Sequence, residues 1–460
     1  MVFFALAIVM IVEGAFCVPI CAQESAVQTM TLTELYDLAD RQSQRVRMSE
    51  VALQAANEGV AAAKSALLPS LDLSLQGSYT GNAYMLSRSF SSNGTTDYIV
   101  PGVGVVPVEN GKQITPHWGN SFIAQVSQIV YAGGAILSGI RMEELGKEMA
   151  ELDVEKNRQE VRFLLTGYYL DLYKLDNQIE VVSQNIDLTK KEIEQMKARR
   201  NEGTVLQNDI TRYEFQLQNL ELTLTKLNDA FTIINHQLVT TLHLPNQTVI
   251  VPDKEELDTE INALSAIAAQ ETWQQTATDN NIGIRQANVA SKLAEQKVKQ
   301  ARAESLPSIS VVAENQLFGP YTQDLIPKDC NVNVWFVGIG VKYSLGSIWK
   351  NRHNIRKARI EHLQSQEALE LAQEEVEKGV HAEYTNLLTS YAEVQTQQKQ
   401  VELANQNYDV VQNRYQNELA LLTDMVDASN MKLSAEMALV NARIGMLYNF
   451  YKLKYVTNTL

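Results

Sequence analysis

Few residues in this chain are spaced for chemistry. The six histidines, His117, His236, His243, His353, His362 and His381, include no i,i+4 pair that one helix face could offer to a metal. Of three cysteines, Cys17 and Cys21 fall in an apolar N-terminus, so Cys330 alone remains, too few for a disulfide framework or a thiolate zinc site. No Gly-x-Ser-x-Gly elbow or phosphate-loop pattern occurs, and Asn110-Gly111-Lys112 reads as a turn. No enzyme chemistry, cofactor or metal is expected. The carboxylates are better placed. Asp424 and Asp427 lie three apart and so share one side of any helix that holds them, near a helix start where acidic residues also complement the macrodipole. Tyr408 and Tyr415, seven apart, have coiled-coil spacing and read as packing residues.

The elements that would carry these residues are long helices. No proline lies between Pro116 and Pro245 or after Pro327, so the strongest helix breaker is missing from two long stretches. The formal net charge of -15, from 54 acidic and 39 basic residues, excludes a phosphate-backbone partner such as nucleic acid. Residues 1–22 read as a signal peptide, with an apolar run from Val2 to Val12 and cleavage after Ala22. Phe16 before Cys17 and Ile20 before Cys21 argue against lipid attachment there. No later run of apolar residues is long enough for a membrane helix, which leaves short alternating strands as the only membrane-spanning elements the sequence allows.

Two halves follow with one plan. In the first (23–244), the capping box Thr31/Glu34 opens a helix expected over 31–67, ended by Pro69. Residues 70–80 alternate apolar and polar, a strand with one greasy face, and a second strand is expected over 120–131 after a long loop, 81–118. A hairpin of two long helices, 135–242, carries Val161, Leu165, Tyr168, Leu172, Leu175, Ile179 and Val182 in alternating steps of four and three, and turns at Asn201-Glu202-Gly203-Thr204. After a connector, 245–258, the second half (259–460) repeats the order: helix 260–305, strands 308–318 and 332–344, and hairpin 347–456 turning near Asn417-Glu418-Leu419-Ala420. Ala301 to Ile309 resembles Ala63 to Leu71, 238 positions earlier, with Leu-Pro-Ser at the strand entry of each. Leu73, Leu75, Val337 and Ile339 fall on the apolar strand faces. Four such strands cannot close a barrel alone, so several chains must contribute.

This ordered set resembles the TolC-like outer-membrane efflux proteins. The resemblance rests on the two Leu-Pro-Ser entries, the Gln128 to Gly134 strand exit, and the turns from Arg200 to Ile210 and from Tyr415 to Ala428, and it covers essentially the whole mature chain. It implies a mainly α fold with a membrane β-barrel part: a homotrimer whose chains each give four strands to a shared barrel, the hairpins forming a tunnel across the periplasm. It further implies a passive exit duct in the outer-membrane lipid, served by a periplasmic adaptor and an inner-membrane pump. The tips at Gly203, Thr204, Leu419 and Ala420 would dock the adaptor. Asp424 and Asp427, with Tyr415 and Asp209, would form the periplasmic constriction, six Asp carboxylates gathering around a threefold axis. Glu418 and Ala420 stand where many members carry Gly and a basic residue, so a latch from that basic residue to Asp209 lacks its partner here. The rival reading is a periplasmic coiled-coil adaptor or secreted helical protein without a pore.

Overall fold

The computed structural model describes residues 27–79, 81, 83–84, 98–100, 104–106, 108–109, 112–113, 117–203, 205–263, 268–320, 329–417 and 419–460. The expected signal segment 1–22, most of the 81–118 loop, Glu418 and the tip residue Thr204 lie outside them. In chain order the principal elements are β1 (Val27–Met30), α1 (Leu32–Gln42), α2 (Gln44–Ser65), β2 (Ser70–Tyr79), β3 (Trp118–Ala132), α3 (Ala135–Asn201), α4 (Gln207–Thr241) and β4 (Val249–Pro252). The second half follows with α5 (Lys254–Ala263), α6 (Gln270–Asn280), α7 (Ile282–Ala303), β5 (Ser308–Gly319), β6 (Val332–Lys342), α8 (Ser347–Lys350), α9 (Arg352–Gln416) and α10 (Leu422–Val456). No described helix is long and apolar enough to cross a membrane.

Three expectations need correction. The single helix over 31–67 is two helices, because Ser43 takes an extended conformation (φ -62°, ψ 125°). The helix over 260–305 is likewise broken at Asn281 (φ -61°, ψ 125°), whose Oδ1 accepts the N–H groups of Gly283 and Ile284 at 2.8 and 3.3 Å. Ser and Asn compete for the backbone and start helices as readily as they interrupt them, which needs no proline or glycine. The two breaks are 238 positions apart, the offset of the Leu-Pro-Ser motifs, so the kink belongs to the repeat. Finally, the expected connector 245–258 is structured. It holds β4, which pairs in parallel with β1, and the start of α5. Ile250 of β4 is fully buried, and Asn235 grips the backbone on both sides of it, at Thr248 O (2.9 Å) and Ile250 N (2.8 Å). Around this point lies the largest core, where α1, α3, α4, α9 and α10 bury Leu35, Leu165, Tyr169, Leu238, Leu387 and Leu447.

The four long strands form one antiparallel sheet in the order β6-β5-β3-β2. Its register sorts the side chains. Leu71, Leu73 and Leu75 of β2 stand opposite Val126, Ala124 and Phe122 of β3, and Ala313 and Val311 of β5 stand opposite Val337 and Ile339 of β6. Leu71, Leu73, Leu75, Val337, Ile339 and Val341 are 66–83% exposed, so no other described residue covers this apolar face. The other face carries Ser70, Asp72, Ser74 and Gln76 opposite Ser127, Gln125, Ile123 and Ser121. A register shift between Ile309 and Ser310 skips Val130 and keeps Tyr131 on the apolar face opposite Ile309. Tyr79 packs edge-on against Trp118 at one end of that face, ring centroids 5.1 Å apart, while Tyr131 and Tyr343 mark the other. Ten residues of β2 reach roughly 33 Å along the strand, about 25 Å in height at the tilt of a membrane barrel.

The sheet joins the helices by a tight turn at Gly133, φ +63°, where a Cβ would stand 2.8 Å from Ala303 O and from Leu306 Cβ. From there α3, 67 residues long, runs about 100 Å away from the sheet. The apolar face predicts a mutational asymmetry. Arg at Leu73 or Ile339 should destabilise membrane-assembled protein by about 2–4 kcal/mol, whereas Arg at Ser74 should be tolerated. The amount of heat-sensitive oligomer extracted from outer-membrane fractions reads this directly, and equal loss at both positions would contradict the face assignment.

Candidate functional site at the hairpin tips

Both hairpins turn by the same local device. At the first, α3 ends at Asn201 and Gly203 adopts φ +84°, a left-handed conformation that ends helices and favours glycine. Val205 tucks in, Leu206 is exposed, and the Asp209 carboxylate reaches back to accept the Leu206 N–H at 3.4 Å. At the second, α9 ends at Gln416, Leu419 N–H donates to Arg414 O at 2.8 Å, and the Asp424 carboxylate accepts the Leu421 N–H at 3.1 Å. Each tip therefore carries an exposed leucine, Leu206 or Leu421, on the residue whose amide the aspartate caps; Leu419 is exposed as well.

The structure thus gives Asp424 and Asp209 a backbone partner, and their charge serves the helix start in addition to whatever else it does. Asp424 and Asp427 are both exposed, Asp427 lining a groove between α9 and α10 with Gln400, Asn430 and Met431. Tyr415 and Asp209 are brought together. Burial first, and then the Asp209 charge, hold the Tyr415 phenol above its usual range, against the pull of Arg199, whose guanidinium lies 5.8 Å over the Tyr415 ring. The cation facing this tyrosine comes from α3, not from the turn position held by Ala420.

Beneath the tips lies a cluster that the sequence does not disclose. Glu192 of α3 is half-buried where all four hairpin helices meet. It accepts the Tyr408 hydroxyl of α9 at 2.7 Å and a second hydrogen bond from Tyr213 of α4, while Lys432 of α10 stands 4.9 Å over the Tyr408 ring. Burial holds the Glu192 carboxyl above its usual range despite the hydrogen bonds and the Lys432 charge. Glu192 flanks the apolar stripe at Ile193, a position indistinguishable from a solvated one without the facing hairpin. Other polar pairs join the hairpins along their length: Gln178 to Asn441 at 2.8 Å, Asn185 to Glu436 at 3.3 Å and Gln216 to Asn430 at 2.6 Å.

A four-stranded sheet whose apolar face and two edges meet no other described residue, continued by paired coiled-coil hairpins with exposed tips, defines a membrane channel with a helical extension. A profile of outer membrane efflux proteins matches residues 35–242 and 273–458. The chain belongs to the outer membrane efflux protein family. It is similar to outer membrane protein TolC of Salmonella enteritidis, 21% identical over 445 residues, 94% of this chain and 83% of that protein, and to TolC of Escherichia coli K12, 20% identical over 95% and 84%. In fold it resembles outer membrane protein VceC from Vibrio cholerae (TM-score 0.71, 15% identity, covering 93% of this chain and 95% of that one). It is also similar to the open state of the Neisseria gonorrhoeae MtrE outer membrane channel (TM-score 0.69, 15% identity, 93% and 88%). The protein is an outer-membrane channel protein reaching into the periplasm, and the pore-free alternative falls away. Its relatives are channel proteins rather than enzymes.

The Glu192 environment makes a pH prediction. A carboxyl whose folded pKa is raised stabilises the fold below its ordinary value, 4.5, and loses that contribution as pH rises through the raised value. Glu192→Gln keeps an acceptor for the tyrosines without the charge. It should therefore raise the melting temperature at about pH 8, and the gain should shrink towards zero near pH 4. Calorimetry across that range checks the sign; a gain that grows on acidification would contradict it.

Proposed function

We propose that three copies of this chain close a twelve-stranded barrel in the outer membrane and continue it as an α-helical tunnel, the passive exit duct of a tripartite efflux or type I secretion system. One observation carries this reading: an even, antiparallel set of four strands with an apolar face and, among the described residues, both edges free. With four strands per chain, β6 of one copy meets β2 of the next running antiparallel, so copies can add until the ring closes without a direction mismatch. Leu73, Leu75, Val337 and Ile339 then face lipid. In this arrangement the partners are a periplasmic adaptor, docking on the tips at Gly203, Thr204, Leu419 and Ala420, and an inner-membrane pump that supplies the energy the duct lacks. The exposed Leu206, Leu419 and Leu421 support the docking assignment, because they bring apolar side chains to the extremities of both hairpins, uncovered by any other described residue.

Around a threefold axis, Asp424 and Asp427 contribute six carboxylates to the periplasmic end of the tunnel, with Tyr415 and Asp209 in support between the hairpins. Such a ring concentrates cations, favours their passage and retains multivalent ions. Asn at both positions keeps an acceptor for the Leu421 N–H, so the helix start survives the change. Asp424→Asn with Asp427→Asn should leave trimers intact yet weaken cation selectivity and block by trivalent cations in planar-bilayer recordings. Unchanged selectivity and block would mean that Asp424 is a cap alone and that the constriction lies elsewhere. A cysteine at Leu419 should crosslink to the adaptor in cells, and crosslinks formed only from the 81–118 loop would invert the orientation.

A further inference from the structure

A run of uncompensated cations stands where the second repeat leaves the sheet. Lys350, Arg352, Arg356, Lys357 and Arg359 occur within ten residues with no carboxylate before Glu361, in a chain of net charge -15. All five are exposed. Among the described residues only Lys357 of this group is ion-paired, to Glu361 at 3.6 Å, although ion pairs recur along the rest of the helical surface. Four of the five sit in the first two turns of α9, with no acidic residue in that stretch to balance them. The first repeat is the internal control. At the matching exit from the sheet, the start of α3, Arg141 is neutralised by Glu144 at 3.0 Å, and Lys64 of α2 joins the same carboxylate at 3.4 Å. The cations are therefore a property of the second repeat alone and not a requirement of the strand-to-helix turn.

Their placement specifies a partner. Asn351, between α8 and α9, keeps helical dihedrals (φ -82°, ψ -8°), and Ile355 N–H reaches Asn351 O at 3.0 Å, so helical periodicity runs through the junction. Arg352 and Arg356 then follow Trp349 by three and seven residues, and Arg352 and Arg359 follow Ile348 by four and eleven, on one face. Trp349, Ile348 and Leu345 are exposed and apolar beside the end of the sheet, while Asn351 and Ala358 turn the opposite face into α7, Asn351 Nδ2 donating to Ala301 O at 2.6 Å. One exposed face thus passes from apolar and aromatic at Leu345, Ile348 and Trp349 to cationic at Arg352, Arg356 and Arg359, before Ile360 and Leu363 return it to apolar; its first passage has the profile of a membrane–water boundary. We infer that Arg352, Arg356 and Arg359 bind the anionic headgroups of phospholipids in the periplasm-facing leaflet, a collar below the barrel that anchors it by charge where Trp349 anchors it by shape.

The assignment rests on the barrel being seated in the outer membrane, and its test keeps the two apart. Wild type and the triple variant Arg352→Gln, Arg356→Gln, Arg359→Gln would be purified as oligomers and passed through vesicles of phosphatidylethanolamine with or without phosphatidylglycerol. Native mass spectrometry then counts retained lipid. Wild type should retain phosphatidylglycerol preferentially, and the variant should lose that preference by about fivefold per charge removed, with its heat stability in lipid-free detergent unchanged. Lys378→Gln, an exposed site farther along α9, should retain lipid as wild type does. Equal phosphatidylglycerol retention by the triple variant overturns the proposal. So does dissociation of the variant oligomer in lipid-free detergent, which would make the face a contact between copies. Altered conductance with unaltered lipid retention would place it on the duct wall, and also overturns it. Failure of wild type to assemble in vesicles at all would instead strike the barrel reading.

Discussion

A strand edge left in hydrocarbon strands a row of N–H and C=O groups without partners, and everything else in this chain answers to that constraint. The sheet supplies two edges, β2 and β6, and among the described residues no fifth strand covers either. The uncovered face of Leu71, Leu73, Leu75, Val337, Ile339 and Val341 compounds the problem in water and solves it in lipid. The chain is thus incomplete in both solvents until copies of itself supply the missing neighbours. Its helices inherit the same incompleteness: α4 leaves Phe215 and Leu222 exposed on a face that no other described residue buries.

Within the chain, stability is distributed unevenly. The core around Leu165, Tyr169 and Leu238 is apolar and anchored by Tyr169, whose hydroxyl donates to Met30 O at 2.9 Å and accepts the Asp253 N–H at 3.0 Å, tying β1 to the segment after β4. Towards the tips the two hairpins meet through small apolar clusters interleaved with polar pairs, Gln178–Asn441, Asn185–Glu436 and Glu192–Tyr408. Such pairs fix which helix meets which and in what register. They add little net stability, because each group gives up water to gain its partner. Glu192 is the extreme case, a carboxyl held above its usual range by burial between two tyrosines.

The parts of this fold that a single sequence discloses are those governed by periodicity. Alternation over Leu71 to Tyr79 gives the strand and its greasy side, and the Thr31/Glu34 box is present as written, Glu34 N–H on Thr31 Oγ1 at 3.3 Å and Thr31 N–H on Glu34 Oε2 at 2.9 Å. The features it hides are set by partners distant in the chain. Ser43 interrupts a helix with neither Pro nor Gly beside it, and at Asn281 the neighbouring Gly283 serves as a capped N–H rather than as the breaker. The pairing of β1 with β4 joins segments more than two hundred residues apart, and nothing local distinguishes Val249–Pro252 from an extended linker. At the tips, Asp209 and Asp424 are recognisable as helix-start acids, but the Arg199–Tyr415 stack and the Tyr213–Glu192–Tyr408 cluster require two hairpins to be brought face to face. Identity of residues was visible; adjacency was not.

The offset between the repeats shows which lengths physics constrains. It is 238 positions before the sheet, from Ser43 to Asn281, and 212 after it, from Ala135 to Ser347, the starts of α3 and α8. The difference arises between the paired strands, where the segment joining β2 to β3 is far longer than the one joining β5 to β6. Beyond the sheet, the distance from helix start to capping aspartate is 74 residues in the first hairpin (Ala135 to Asp209) and 77 in the second (Ser347 to Asp424), and both return helices have 35 residues. A mismatch of three residues is less than one helical turn, about 4.5 Å over a span of roughly 100 Å. Loops at the far end of a sheet are free to grow because their length changes only a slowly varying closure entropy. Hairpins packed side by side are not: an extra turn on one would lift its tip past the other and break the register of every pair between them. Equal hairpins and unequal loops are what a duct requires, with all its tips at one level and only its outer mouth free to vary.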